Sequence, residues 1–522
     1  MSEKKGVFAS FELREWIGLF LGPALFCAVG FLLKAKGLNA SAAWAGATVV
    51  LMATWWITEP IPLWATACLP IVLFPVLCDL PIFPLLLQYV DPINFLFLGG
   101  MLIAASMEQW GLHRRIALEI IGRVGTGPRR IVLGFMMATA FISLWISNTA
   151  AAVMLFPICM AVIVKFQDEV GSQDALLRQF GLSLMLGLAY AASIGGIGTK
   201  IGTGTNLVFV KMARQTLNIE IDFVTWLKFG MPVVLICIPV VWIYLVRFAA
   251  PLPADGFQSG QRAIHEARSK LGPLSAGERA ALVAFLTAAT LWIFRKPIEL
   301  GFATIPGWWQ SVPFGWPDLL GSLDQYSAPL RNYLKQDFGD GAVAMVVSGV
   351  LFFIPVQKKP LRAALGPKEA AGISWGLLVM LGGGFAMAYG IQESKLSDWI
   401  AAGLQGKRQL HPFFATLLVC IVATVLTEVA SNTATASILL PLLATSAESM
   451  GLHPVPLMLA ATLAASFGFM LPAGTPPNAV AFSSGYITVP QMARCGLMVD
   501  ILGIIVVTPI CTWWVPWVLN IK

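Results

Sequence analysis

Two tripeptides that would ordinarily sit on a protein surface stand instead in the middle of long apolar runs: Ser147-Asn148-Thr149 and Ser431-Asn432-Thr433. Each is followed by a second polar cluster, Gly202-Thr203-Gly204-Thr205-Asn206 in one case and Gly474-Thr475-Pro476-Pro477-Asn478 in the other. Hydrocarbon offers no hydrogen bonds, so such groups must be satisfied by protein or line a wet cavity. A helix broken at these points leaves free carbonyls on one side of the break and free amides on the other. Carbonyl, Ser and Asn oxygens suit a hard monovalent cation. Amides at helix N-termini, with Asn amide and Thr hydroxyl donors, suit a carboxylate or another oxyanion. A lone Ser-Asn-Thr in a membrane helix usually ties neighbouring helices together; its recurrence at matched places favours a site.

The clusters belong to a repeat. Residues 147–157 (SNTAAAVMLFP) and 431–441 (SNTATASILLP) agree at seven of eleven positions, 284 residues apart. Leu98-Gly99-Gly100 and Leu381-Gly382-Gly383 precede the two copies. Three matched features in one order imply an internal duplication.

Apolar elements must carry these clusters. Of 522 residues, 57% are hydrophobic and 12% charged, and the mean hydropathy is +0.77. Soluble proteins average about 25% charged residues, so this chain is read as integral to a membrane. Apolar runs near 16–33, 40–57, 61–78, 94–111, 180–210, 223–248, 280–296, 341–355, 373–391, 455–487 and 496–519 are read as spanning helices, which need roughly 20 residues. The stretches 130–166 and 413–447 are too long for one span and are interrupted by the tripeptides, so they are read as re-entrant hairpins. The expected fold is all-α and polytopic, with about eleven spans and two hairpins, and lacks the alternating strands of a barrel.

The expected order is an N-terminal segment with the first span (1–39), a first repeat (40–248), a cytoplasmic loop (249–279), and a second repeat (280–519) with an external insertion at 298–340. With the N-terminus in the cytoplasm, three loops fall inside: 112–130 (Arg114, Arg115, Arg123, Arg129, Arg130), 249–279 (Arg262, Arg268, Lys270, Arg279) and 356–372 (Lys358, Lys359, Arg362, Lys368). Each carries the Lys/Arg excess of the positive-inside rule. The first hairpin then opens from inside and the second from outside. That is an inverted repeat, as in many secondary transporters.

The net charge of +7 is read as loop charge facing anionic lipid rather than as a nucleic-acid surface. Eight cysteines form no CxxC pair, and the four histidines (His113, His265, His411, His453) are scattered. HExxH and GxSxG are absent, Gly196-x-Gly198-x-x-x-Gly202 has the wrong spacing for a dinucleotide fingerprint, and Gly406-Lys407 lacks the rest of a P-loop. Neither an enzyme nor an organic cofactor is expected. Trp513, Trp514 and Trp517 fit an interfacial belt. No transit-like leader is visible, which favours a bacterial inner membrane.

Together with Thr427-Glu428-Val429-Ala430, and with Trp55-Trp56-Ile57-Thr58-Glu59-Pro60 followed by Leu63, these motifs resemble the divalent anion:sodium symporters, the INDY-like di- and tricarboxylate transporters. The resemblance covers nearly the whole chain. It implies an elevator-type transporter, usually a homodimer, in which a mobile transport domain moves against a scaffold and holds a small di- or tricarboxylate between the hairpin tips. It also implies one sodium site at Ser143, Ser147, Asn148 and the Gly202 backbone, and a second at Thr427, Ala430, Asn432 and Gly474. Substrate carboxylates fall to Asn148, Thr149, Asn432 and Thr433, with Thr203, Thr475 and Pro476. The implied function is sodium-coupled symport of C4-dicarboxylates (succinate, malate, fumarate) into the cytoplasm. The alternatives are sodium-independent dicarboxylate exchange, or sulfate or citrate as substrate.

Physical reasoning agrees with sodium coupling. The proposed anion site has no Arg clamp, and an uncompensated dianion in low dielectric costs many kcal/mol. Bound sodium supplies the missing charge, so the anion site is weak until the cations are in place. Two features depart from the family pattern. The first-half segment reads Gly-Thr-Gly-Thr-Asn where many bacterial members carry a Pro-Pro pair, and Lys200 stands two positions before Gly202. Lys200 is read as snorkelling or pairing with Glu108, Glu393 or Glu428; the sharper alternative makes it a fixed cation that replaces a sodium ion. Glu428 is read as a structural hydrogen-bonding group rather than a proton relay.

Overall fold

The computed structural model describes residues 12–521, apart from 126, 172–173, 255–257, 300–303, 309–338 and 405–410. The chain opens with α1 (Leu13–Ala35), α2 (Ala40–Thr58), α3 (Leu63–Thr66), α4 (Leu69–Cys78), α5 (Ile82–Tyr89), α6 (Pro92–Gln109) and α7 (Leu112–Val124). The first hairpin is α8 (Pro128–Ser143) and α9 (Asn148–Val170); α10 (Ala175–Gly196), α11 (Gly204–Leu217), α12 (Phe223–Tyr244) and α13 (Gln258–Ser269) follow it. The second half runs through α14 (Ala276–Ile293), α15 (Asp340–Leu351), α16 (Pro367–Ala371), α17 (Trp375–Glu393) and α18 (Leu396–Leu404). Its hairpin is α19 (Pro412–Thr427) and α20 (Asn432–Ser449), followed by α21 (Pro454–Ala464), α22 (Pro476–Phe482), α23 (Val489–Pro509) and α24 (Val515–Leu519).

Nine helices among the described residues are long and apolar enough to cross a membrane, and four shorter apolar segments accompany them. The fold is therefore all-α and polytopic. Among the described residues the only strands form two short antiparallel ribbons. Polar residues start the helices where their sequence places them: Asn39, Asp91, Asp222 and Ser275 each accept a backbone amide of the first turn, which satisfies a donor that has no partner inside the helix.

Three sequence expectations change. The runs 180–210 and 455–487 are not single helices: each breaks at its polar cluster, into α10 and α11 in the first half and α21 and α22 in the second. The stretch 249–279, expected as a loop, carries α13, which packs on α7 and α9; its Gln, Glu, Arg and Ala residues are adequate helix formers. The insertion expected at 298–340 ends earlier, because Asp340 is buried as the first residue of α15. Most of that insertion, with Arg331, Lys335, Asp318, Asp324 and Asp337, lies outside the described residues.

Two sets of helices can be told apart by packing. In one, α6 packs on both α14 and α15, and α17 packs on α3, α4 and α5. In the other, α10 packs on α8, α9 and α22, while α19 and α20 pack on α21 and α12 packs on α23. Within this second set the halves interlock: α9 of the first hairpin touches α22, and α20 of the second touches α11. Each hairpin thus meets the broken helix of the other half.

Candidate functional site

The site is built twice, bond for bond. In the first half Ser147 has extended dihedrals (φ −60°, ψ 145°) and its side chain caps α9 by accepting the Ala150 amide. In the second, Ser431 (φ −65°, ψ 147°) caps α20 through the Ala434 amide. Capping by Ser is what lets the chain turn at the tip and restart as a helix within four residues. Asn148 and Asn432 then begin the two helices.

Each Asn carboxamide meets a hydroxyl from the incoming helix. Ser143 Oγ lies 3.0 Å from Asn148 Oδ1 and 2.5 Å from the Ala192 carbonyl. Thr427 Oγ1 lies 2.8 Å from Asn432 Oδ1 and 2.7 Å from the Ala465 carbonyl. A hydroxyl carries one proton and can donate to only one of two acceptors. At each tip a carboxamide, a hydroxyl and a backbone carbonyl therefore converge, a set of oxygens that fits a hard monovalent cation.

The segments between the broken helices close each tip. Asn206 Nδ2 donates to the Gly196 and Thr199 carbonyls at 2.9 and 2.7 Å. Asn478 Nδ2 donates to the Gly468 and Leu471 carbonyls, both at 2.9 Å. The Oδ1 atoms of Asn206 and Asn478 are buried without a hydrogen-bond partner among the described residues. A buried polar atom left orphaned in both halves has a structural explanation only if something else reaches it. Sequence reasoning quoted these two asparagines as motif ends without assigning them to the site; their signal was their equal place in both clusters.

Close approach makes glycine obligatory here. A Cβ on Gly196 would run into Asn148 Oδ1, and one on Gly202 would run into the Gly196 carbonyl and lie 2.9 Å from the Ser143 carbonyl. Ser143, Asn148 and Gly202 are thereby brought together. On the other side a Cβ on Gly474 would lie 3.4 Å from Glu428 Oε2, beside Thr427 and Ala430 at the second tip.

The oxyanion candidates face the breaks. Thr203 and Thr475 take matching extended conformations (φ −145°, ψ 149° and φ −141°, ψ 147°) immediately before α11 and α22. Pro476, which needs no amide partner, opens α22. The Thr475 hydroxyl is buried without a partner among the described residues, and Thr203 Oγ1 lies 3.4 Å from Thr205 Oγ1. A Cβ on Gly204 would lie 3.1 Å from Thr433 Oγ1, so the second tip touches the start of α11. Ser147 and Thr149 of the first tip line a cavity of about 490 Å3, together with Trp145, Ile201, Glu108 and Glu369.

Lys200 does not join this group. Its Nζ lies 2.8 Å from Asp340 Oδ2, and Arg295 Nε lies 2.9 Å from Asp340 Oδ1. The expected partners Glu108, Glu393 and Glu428 are thus corrected to Asp340, which the fold brings in from the far end of the insertion. In this structure the charge of Lys200, read alternatively as a substitute for a sodium ion, is met by that buried carboxylate. Glu428 accepts the amides of Met470 (3.0 and 3.2 Å) and Leu471 (3.2 Å), a structural role.

Residues 13–521 match the family described as the sodium:sulfate symporter transmembrane region. The chain is 36% identical over 517 residues to the sodium-dependent dicarboxylate transporter SdcS of Staphylococcus saprophyticus, covering 98% of this chain and 93% of that one. It is 35% identical over 524 residues to SdcS of Staphylococcus aureus, covering 100% and 94%. Its fold is similar to that of the Neisseria gonorrhoeae transporter MtrF, with a TM-score of 0.51 at 13% identity over 91% of this chain and 95% of that one. The chain belongs to the sodium:sulfate symporter family, the divalent anion:sodium symporters, and is an integral membrane transporter, not an enzyme.

Proposed function

We propose that the chain is a sodium-coupled symporter that carries C4-dicarboxylates such as succinate, malate and fumarate into the cytoplasm. The observation that carries this reading is the doubled tip: two Asn carboxamides, each beside a hydroxyl that also meets a backbone carbonyl. Sodium ions fill these two places, one at Ser143, Ser147, Asn148 and Gly202, the other at Thr427, Ala430, Asn432 and Gly474. Asn148, Thr149, Asn432 and Thr433 then hold the substrate carboxylates, with Thr203, Thr475 and Pro476 at the helix starts. The relatives named sodium-dependent dicarboxylate transporters support both the ion and the substrate class.

Coupling follows from electrostatics. The dianion gains little from the neutral donors alone, and the two cations supply the charge that makes its transfer into the membrane affordable. The two halves form an inverted repeat, with the N-terminus in the cytoplasm of a bacterial plasma membrane. The set containing the hairpins moves as an elevator against the set built on α6, α14 and α15, in a homodimer.

The test is uptake of labelled succinate by purified protein in proteoliposomes, empty or preloaded with succinate, with sodium or choline outside. Accumulation in empty vesicles that requires an inward sodium gradient is the expected result. Uptake that ignores sodium and requires internal succinate would replace symport with exchange.

A further inference from the structure

We infer that two buried ion-pair clusters latch the hairpin-bearing helices to the α6–α15 pair in the state described here, and that both must part during the transport cycle. The inference rests on the elevator reading above. The first cluster is Lys200 with Asp340 and Arg295, whose residues are 6, 6 and 8% exposed. The second centres on Lys211, which is fully buried. Its Nζ lies 3.1 Å from Asp91 Oδ2, 3.4 Å from the Gln88 carbonyl and 3.8 Å from the centre of the Phe385 ring. Arg214 joins at 3.2 Å from Asp91 Oδ2.

The clusters share one geometry. Each lysine belongs to the broken helix of the first half, Lys200 in the segment before α11 and Lys211 within it. Each carboxylate starts a helix of the other set: Asp91 caps α6 through the Ile93 amide at 3.0 Å, and Asp340 is the first residue of α15. Carboxylates at helix N-termini are stabilised by the helix dipole, and α6 and α15 pack on each other. Both anions therefore ride on one body and both lysines on the other. A cavity of about 50 Å3 lies between the clusters, lined by Lys200, Val210, Arg214, Glu220, Arg295 and Asp340. That is room for water, which would rehydrate the charges as they separate.

The site itself does not need these lysines. At the repeat spacing of the Asn206 and Asn478 clusters, Lys200 corresponds to Pro472 and Lys211 to Ser483, neither of them charged. The second half builds the same tip without them. The difference follows the packing: α11 also touches α6 and α17, whereas α22 packs on α9 and α10 of its own set. Charges were placed only where the broken helix crosses the seam. A buried ion pair adds little net stability over an apolar pair, so its value here lies in favouring one arrangement.

The test places a reporter at Val210, which lines the seam and is 4% exposed, in a background with Cys27→Ser and Cys68→Ser. Labelling of Val210→Cys by N-ethylmaleimide is followed in proteoliposomes containing the full chain, without sodium and then during sodium-driven succinate uptake. Labelling is expected to be slow without sodium and to rise during uptake. The paired variants Lys200→Met/Asp340→Asn and Lys211→Met/Asp91→Asn remove a lysine together with its carboxylate charge, and Asn still caps α6. They should label at least about tenfold faster without sodium, while Lys200→Arg and Lys211→Arg should label like the parent. Parent-like labelling in both paired variants, with succinate binding retained, overturns the latch alone. A Val210→Cys parent whose labelling never changes during robust uptake overturns the elevator reading.

Discussion

In the first half the unwound segment reaches for the tip: the Thr199 hydroxyl donates to the Leu144 carbonyl. In the second half the tip reaches for the segment: Glu428, which occupies the place of Leu144, accepts the amides of Met470 and Leu471. Asp500 of α23 lies against Glu428, so the second tip carries two carboxyl groups where the first has an uncharged clamp. Three groups are nevertheless placed alike in both: the hydroxyl at Ser143 or Thr427, the carboxamide at Asn148 or Asn432, and the bridging amide of Asn206 or Asn478. Duplication has preserved these tip groups and allowed the mechanical support behind them to diverge. Supports are interchangeable because any hydrogen bond of suitable length holds a backbone, whereas a cation sees the number and placement of oxygens directly.

If the tips are equivalent, losing either must be equally fatal. Asn148→Ala and Asn432→Ala each remove the carboxamide whose oxygen would face the proposed cation and whose amide would donate to the anion, and each should reduce succinate uptake at least about a hundredfold. The purified proteins should still elute as folded transporter. Near-parent uptake in one variant alone would break the equivalence and assign transport to the other tip.

The charge difference gives a sharper contrast. A carboxylate about 8 Å from a sodium ion contributes about 2 kcal/mol at an effective dielectric of 20. Glu428→Gln is therefore expected to weaken sodium activation of uptake about thirtyfold, with a smaller change in maximal rate. The measurement is the sodium concentration for half-maximal uptake. An unchanged value would mean that the second tip binds its ion through neutral oxygens alone, as the first does.

Much of this was legible before any coordinates. Ser147-Asn148-Thr149 and its copy stand out because polar groups inside apolar runs must be satisfied locally, and that rule acts over a few residues. The Ser caps of α9 and α20 and Pro476 at the first position of α22 are of the same short-range kind, although the sequence reading did not draw them out. The all-α membrane fold followed from composition and run length. The partner of Lys200 did not. Asp340 is 140 residues away, at the end of a segment whose charges read as an external loop, whereas Glu108, Glu393 and Glu428 lay in or beside apolar helices and looked closer. Pairing across that separation is set by how α6, α14 and α15 pack, and no local pattern encodes it. The same holds for Lys211 and Asp91.

The smallest effect belongs to the uncharged clamp. Thr199→Val keeps the shape of the side chain and removes only the hydroxyl that meets the Leu144 carbonyl. An ordinary intramolecular hydrogen bond contributes about 1 kcal/mol, and no charge near the first cation site changes. Sodium activation should stay within about twofold of the parent, equivalent to about 0.4 kcal/mol, because the tip is still held by Ser143 and Asn206. Thermal unfolding in detergent should fall by a few degrees at most. Comparing this variant with Glu428→Gln separates the two jobs a clamp can do. If both shift sodium activation equally, the tips are positioned by their clamps and the carboxylate acts only as a hydrogen-bond acceptor. If only Glu428→Gln shifts it, the second half has added an electrostatic contribution to the support that the first half performs with a neutral bond.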